Sequence, residues 1–126
     1  MAGKKTILVA EDDSTMREIV SSKLADSGYN VVEAENGKKA IDIWIKEKPD
    51  LVVLDLLMPE KDGFEVLETI RANDNPKISK TKVIVLSNFH NKADIERAQA
   101  YSIDKYMIKA YQTTDDILEE VNKIMG

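Results

Sequence analysis

Five short apolar runs alternate along the chain with five stretches whose apolar residues recur every three or four positions. The runs are TILVA (6–10), NVVEA (30–34), LVVLDL (51–56), VIVL (83–86) and DKYMI (104–108). The first, third and fourth are nearly unbroken in Val, Ile and Leu, which predicts central strands of a parallel sheet covered on both faces. The second and fifth carry charge and suit its edges. After Ser14, the spacing of Met16, Ile19, Val20 and Leu24 predicts a helix, with Thr15 and Glu18 as a capping box and Gly28 as the stop. Residues 37–47 place Ala40, Ile41 and Trp44 on one helical face, and 63–72 do the same with Phe64, Leu67 and Ile70. Ile95, Ala98 and Tyr101 mark a weaker fourth helix. A fifth follows Thr113 and Thr114, with Ile117, Leu118, Val121, Ile124 and Met125 on one side and acids in its first turn, where the helix dipole favours them. The polar stretch NDNPKISKTK (73–82) reads as a loop. Strict strand-helix alternation predicts a doubly wound α/β sandwich.

Composition narrows this picture. A chain of 126 residues with 43% hydrophobic residues fits one domain, 1–126, able to bury its own core. The net charge of -5 argues against binding nucleic acid or an anionic membrane through bulk electrostatics. With no Cys, disulfides and thiolate metal sites are excluded, which fits a cytoplasmic location. No apolar run approaches the roughly 18 residues of a membrane span, and MAGKK is not followed by a signal-peptide core.

Candidate chemistry collects at the strand ends, where open parallel sheets bind ligands. The first run ends in Glu11, Asp12 and Asp13, the third carries Asp55, the fourth ends in Ser87, and Lys109 follows the fifth. Each has a bland reading: a solvated acidic triplet or helix cap, a stray hydroxyl, a surface lysine. Asp55 is the hardest to dismiss, because an acid inside LVVLDLLMP is costly to bury unpaired. Carboxylates a few ångströms apart repel by roughly 4 kcal/mol at an effective dielectric near 20. A hard dication such as Mg²⁺, which takes one or two carboxylates and phosphate oxygens, relieves that repulsion. One carboxylate is then free to act as a nucleophile toward phosphorus, with Lys109 stabilising charge on the transferring group.

Four segments, ILVAEDDSTMREIV, LVVLDLLMPEKDGFE, VIVLSN and KYMIKA, together resemble the receiver domain of two-component response regulators, its single-domain chemotaxis members in particular. The resemblance implies a flavodoxin-like fold with a five-stranded parallel sheet of order 2-1-3-4-5 flanked by five helices. It implies Glu11 and Asp12 as the acidic pair for Mg²⁺, Asp55 as phosphoacceptor and a further metal ligand, and Leu57 as donor of a backbone carbonyl to the metal. Ser87 is then the switch hydroxyl, Tyr106 the aromatic that moves with it, and Lys109 the phosphoryl partner; Asp13 matches no site position and is left as a helix cap. Implied partners are a histidine kinase or histidine phosphotransfer protein, and a downstream target at the face of the fourth helix, fifth strand and fifth helix.

Two departures stand out. Ala110 follows Lys109 where the family usually has proline, and a cis bond before a non-proline residue costs about 2.5–4 kcal/mol, so a trans bond is expected. Asn88 and Phe89 follow Ser87 where the family commonly has a small residue, and Leu57 with Phe89 is expected to shield an acyl phosphate. A phosphatase of the haloacid dehalogenase type needs a second Asp where Leu57 stands. A receiver-like interaction module that does not turn over phosphate is the remaining alternative. His90, Trp44 and Tyr111 read as a surface residue, a core residue and an exposed rim residue.

Overall fold

The computed structural model describes residues 4–126. Strands β1 (Thr6–Ala10), β2 (Asn30–Ala34), β3 (Leu51–Leu54), β4 (Lys82–Ser87) and β5 (Lys105–Ile108) form one parallel sheet in the order β2-β1-β3-β4-β5. Helices α1 (Ser14–Asp26), α2 (Gly37–Glu47), α3 (Gly63–Arg71), α4 (Pro76–Ser79), α5 (Lys92–Gln99) and α6 (Thr114–Met125) connect and cover the strands. Every strand expected from the pattern is present, and the charged runs occupy the edges.

Strict alternation sorts side chains to two faces. Ile7, Val9, Leu51, Val53, Ile84, Leu86 and Met107 pack with Val20 and Leu24 of α1 and with Ile117 and Val121 of α6. Leu8, Ala10, Val52, Leu54, Val83 and Val85 pack on the other side with Trp44, Phe64, Leu67, Ile70 and Ala98 from α2, α3 and α5. Trp44 is fully buried, and its indole N–H donates to Thr81 Oγ1 at 3.0 Å, so the polar atom of a core aromatic is satisfied.

The helix boundaries differ from the expected ones in three places. The N-cap of α1 is Asp13, whose carboxylate accepts from the Thr15 and Met16 amides at 2.9 and 3.1 Å, so the Thr15–Glu18 capping box does not form. A carboxylate just ahead of the apolar stripe satisfies two orphan amides and leaves Thr15 inside the first turn. Helix α5 stops at Gln99, before Tyr101, and the chain reverses at Ser102 with φ 58°. Tyr101 still packs half-buried on the core. Within the expected loop 73–82, Pro76 opens the single turn of α4, with Asn75 accepting from the Lys77 amide at 3.0 Å. Gly28, at φ 101°, ends the α1 connection as expected.

Arg71, in the last turn of α3, holds these turns together. Its guanidinium donates to the carbonyls of Ser79, Thr81 and Tyr101 at 2.8, 2.7 and 2.7 Å and to that of Ser102 at 3.3 Å. One planar fork thereby closes carbonyls from two separate turns that no strand or helix would satisfy.

Candidate functional site

The register dictates what meets at the carboxyl ends of the strands. Ala10 pairs with Leu54, so Glu11 and Asp55 are the next residues out on neighbouring strands. Glu11 lies two beyond Val9, Asp55 two beyond Val53 and Lys109 two beyond Met107, and all three preceding residues face the α1/α6 side. A period of two therefore brings a pair of acids and a lysine to the same side of the rim. Ser87, two beyond Val85, and Tyr106, paired with Val85, share the opposite parity.

The side chains meet as this parity requires. One carboxylate oxygen from each of Glu11, Asp12 and Asp55 lies within 4.8 Å of the others. Glu11 and Asp55 are buried at 4% and 5% exposure, while Asp12 is exposed. Lys109 Nζ donates to Asp55 Oδ2 at 2.9 Å and pairs with Glu11. The donor set is all oxygen, the chemistry of a hard cation. Three carboxylates against one ammonium leave two formal negative charges, the charge of one dication. The residues therefore fit Mg²⁺, and Leu57, whose amide donates to Asp55 Oδ1 at 3.3 Å, lies beside them.

Burial is the main force raising the Glu11 carboxyl from its ordinary 4.5 to about 7; Asp55 adds to the shift through its hydrogen bond and charge, and Lys109 opposes it. Burial alone would lower the Lys109 ammonium, but hydrogen bonds and charges from Glu11 and Asp55 together raise it. A pH dependence follows for the metal-free protein. Below pH 4.5 Glu11 is protonated in both folded and unfolded chains. Between about 4.5 and 7 the unfolded chain releases this proton and the folded one keeps it, so stability falls as pH rises through that window. The expected loss is on the order of 3 kcal/mol. Urea denaturation in chelator at pH 5 and pH 8 measures it, and Glu11→Gln is expected to abolish the difference attributed to this carboxyl.

The loops that aim these groups are tightly packed. A Cβ on Gly63 would lie 2.4 Å from the Asp55 carbonyl and 2.6 Å from Leu56 Cα, and the Gly63 amide donates to the Leu56 carbonyl at 2.9 Å. Only glycine lets α3 begin against the backbone of the phosphoacceptor candidate. Arg17, which the sequence pattern did not single out, donates to the carbonyls of Glu11 at 2.7 Å and Asp12 at 3.4 Å and so fixes the turn between β1 and α1. Its signal in the sequence is weak, because an arginine on a helix ordinarily reads as surface charge.

Ser87 is buried at 1% exposure, and its hydroxyl accepts from the Phe89 amide at 3.2 Å. Tyr106 is half-buried, and its hydroxyl donates to the Phe89 carbonyl at 2.5 Å. Both groups are thus tied to the same residue. Of the pair expected to shield an acyl phosphate, Leu57 stands 62% exposed, whereas Phe89 is half-buried against the core. No cis peptide bond occurs among the described residues, so Lys109–Ala110 is trans, and Lys109 reaches both acids from that backbone. His90 and Tyr111 are exposed, the latter at 72%.

The parallel sheet reverses its winding between β1 and β3, and buried acids on both sides of the reversal make an acidic pocket of the doubly wound α/β class. The chain belongs to the response regulator receiver domain family, whose sequence profile matches residues 7–122. Members of this family are phosphoacceptors of two-component signalling rather than classical enzymes, and they generally bind Mg²⁺ at an acidic pocket. The chain is 32% identical to the chemotaxis protein CheY of Bacillus subtilis over 121 residues, 95% of this chain and 97% of that protein. It is 34% identical over 108 residues to the probable transcriptional regulator ycf27 of Porphyridium aerugineum, covering 86% of this chain and 43% of that one. The chain thus spans less than half the length of that relative. Among solved structures, the receiver domain of the putative response regulator NarL from Mycobacterium tuberculosis superposes with a TM-score of 0.86 at 27% identity, covering 98% of this chain and 97% of that one. Vibrio cholerae CheY4, at 22% identity and a TM-score of 0.87, covers 97% of this chain and 99% of that chain and shares the fold. Among the described residues, no helix is long and apolar enough to cross a membrane.

Proposed function

We propose that this chain is a phosphorylation-driven switch in which Asp55 accepts a phosphoryl group from a histidine kinase or histidine phosphotransfer protein. The single observation that carries this reading is the buried Asp55 carboxylate, held by Lys109 at 2.9 Å and grouped with Glu11 and Asp12. Glu11, Asp12, Asp55 and the Leu57 carbonyl would hold Mg²⁺, which when bound supplies positive charge to the oxygens of a transferring phosphoryl group. A carboxylate oxygen of Asp55 attacks phosphorus, the bond from phosphorus to the donor breaks, and the donor leaves with its electron pair. Lys109 keeps its proton and faces the developing charge. Ser87, one residue beyond the apolar part of β4 at the same rim, would donate to the transferred group. The Ser87 oxygen also accepts from the Phe89 amide, and Tyr106 donates to the Phe89 carbonyl, so a rotation of Ser87 toward the transferred group would reach Tyr106 through one loop.

The output face in this reading is formed by α5, β5 and α6, the fourth helix, fifth strand and fifth helix of the sequence pattern. Its support is the light anchoring of α5, which buries only Ala98 and rests Arg97 over the Phe64 ring at 3.9 Å from the centroid. An element held this thinly is one whose position a ligand can bias. The reading excludes direct nucleic-acid or membrane contact and assigns a cytoplasmic setting.

Intact mass after incubation with acetyl phosphate or phosphoramidate tests the proposal. One phosphate per chain, formed with Mg²⁺ and not formed when chelator is present from the start, is expected. No adduct under either donor would leave a receiver-like interaction module, and rapid release of free phosphate with no adduct would indicate a phosphatase.

A further inference from the structure

The two departures from the receiver pattern, Asn88 and Ala110, are bonded to each other. The Ala110 amide donates to Asn88 Oδ1 at 3.0 Å. A proline at 110 has no such donor, so this bond exists because the residue after Lys109 is not proline. The ladder between β4 and β5 ends at the pairing of Ser87 with Ile108, and the next residues out leave their strands. Lys109–Tyr111 then forms a short 3₁₀ turn, and the residue before it, Ile108, offers no side-chain cap. The Asn88 side chain therefore makes one rung more than the backbone ladder can. It also satisfies an amide in the first turn that no capping side chain reaches.

We infer that Asn88 is a positioning residue for Lys109: by holding the Ala110 amide, it fixes the turn from which the lysine reaches Asp55 and Glu11. The Lys109 side chain has four rotatable carbons and one productive aim, so the placement of its own backbone decides whether the ammonium stays between the acids. The hydrogen bond joins Asn88 to Ala110 and not to a carboxylate, and both residues are exposed, so the bond acts on the site through Lys109. This inference rests on the proposed phosphoacceptor function, and its test separates the two.

The rate of adduct formation from acetyl phosphate at saturating Mg²⁺ is measured in wild type, Asn88→Ala, Asn88→Asp, Lys109→Ala and the Asn88→Ala/Lys109→Ala double variant. Asn88→Ala is expected to be slower by about fivefold, the worth of one hydrogen bond. Asn88→Asp, which keeps the acceptor oxygen, is expected to recover most of the wild-type rate. In the Lys109→Ala background Asn88→Ala is expected to add nothing, and the Mg²⁺ affinity of the Asn88→Ala single variant is expected to match wild type. An equal slowing in both backgrounds, or a wild-type rate for Asn88→Ala, overturns the inference. If wild type forms no adduct, the phosphoacceptor reading fails by itself. NMR then decides the inference alone: loss of Ala110 amide protection and a shifted Lys109 ammonium signal in Asn88→Ala uphold it, and unchanged signals overturn it.

Discussion

Asp55→Asn is expected to take up no phosphate from any donor and yet to melt higher than wild type in metal-free buffer. The amide is nearly the size of the carboxylate and leaves no cavity, but it offers no anionic oxygen to attack phosphorus. It also removes one of two buried charges that Lys109 neutralises only in part, and with it a contribution that pushes the Glu11 carboxyl upward. Relief of roughly 1 kcal/mol corresponds to a rise in melting temperature of about 4 °C for a domain of this size. Added Mg²⁺ is expected to stabilise wild type more than the variant, because a ligand that binds the folded state stabilises in proportion to its occupancy. Calorimetry with and without Mg²⁺, beside intact mass, reads all three effects. Equal responses of the two proteins to Mg²⁺ would show that Asp55 takes no part in holding the metal.

Lys109→Met carries the largest expected loss of stability. The side chain is 16% exposed and lies between Glu11 and Asp55, whose own side chains are 5% and 6% exposed. Methionine fills the same channel but leaves two buried carboxylates facing each other without a cation. Breaking one side of a buried pair typically costs about 3–5 kcal/mol, here at pH 8 in chelator. The deficit is expected to shrink at pH 5, where a proton can replace the missing charge, and to shrink again with Mg²⁺ at pH 8. Phosphorylation at saturating Mg²⁺ is expected to slow by about a hundredfold, in line with the removal of one electrostatic stabiliser of a transition state. A melting temperature independent of pH would show that the acids find other partners once the lysine is gone.

How far the site was legible follows from the same parity that builds it. The two-residue repeat of a strand, counted along TILVA, LVVL and KYMI, fixes which residues share a face, so Glu11, Asp55 and Lys109 are predictable as neighbours once the strands are placed side by side. The order of the strands came from resemblance, since periodicity says nothing about which strand lies next to which. Caps were less legible: both Asp13 and Thr15 are good N-cap residues, and only the geometry of the β1–α1 turn decides between them. The contacts of Arg17, Arg71 and Asn88 were not legible at all. Each is a side chain reaching carbonyls or an amide brought near by the fold, and such pairings leave no spacing in the sequence.

The single tryptophan has a practical consequence. Its indole is bonded to Thr81, at the start of β4, while Ser87 closes the other end of that strand, about 20 Å away at the rise of a parallel strand. Intrinsic fluorescence therefore reports the opening of the α2–α3 half of the core and stays silent toward events at the acidic rim. Optical titration of this protein calls for a chromophore installed beside the pocket, and the native emission then serves as an internal gauge of whether the chain is still folded.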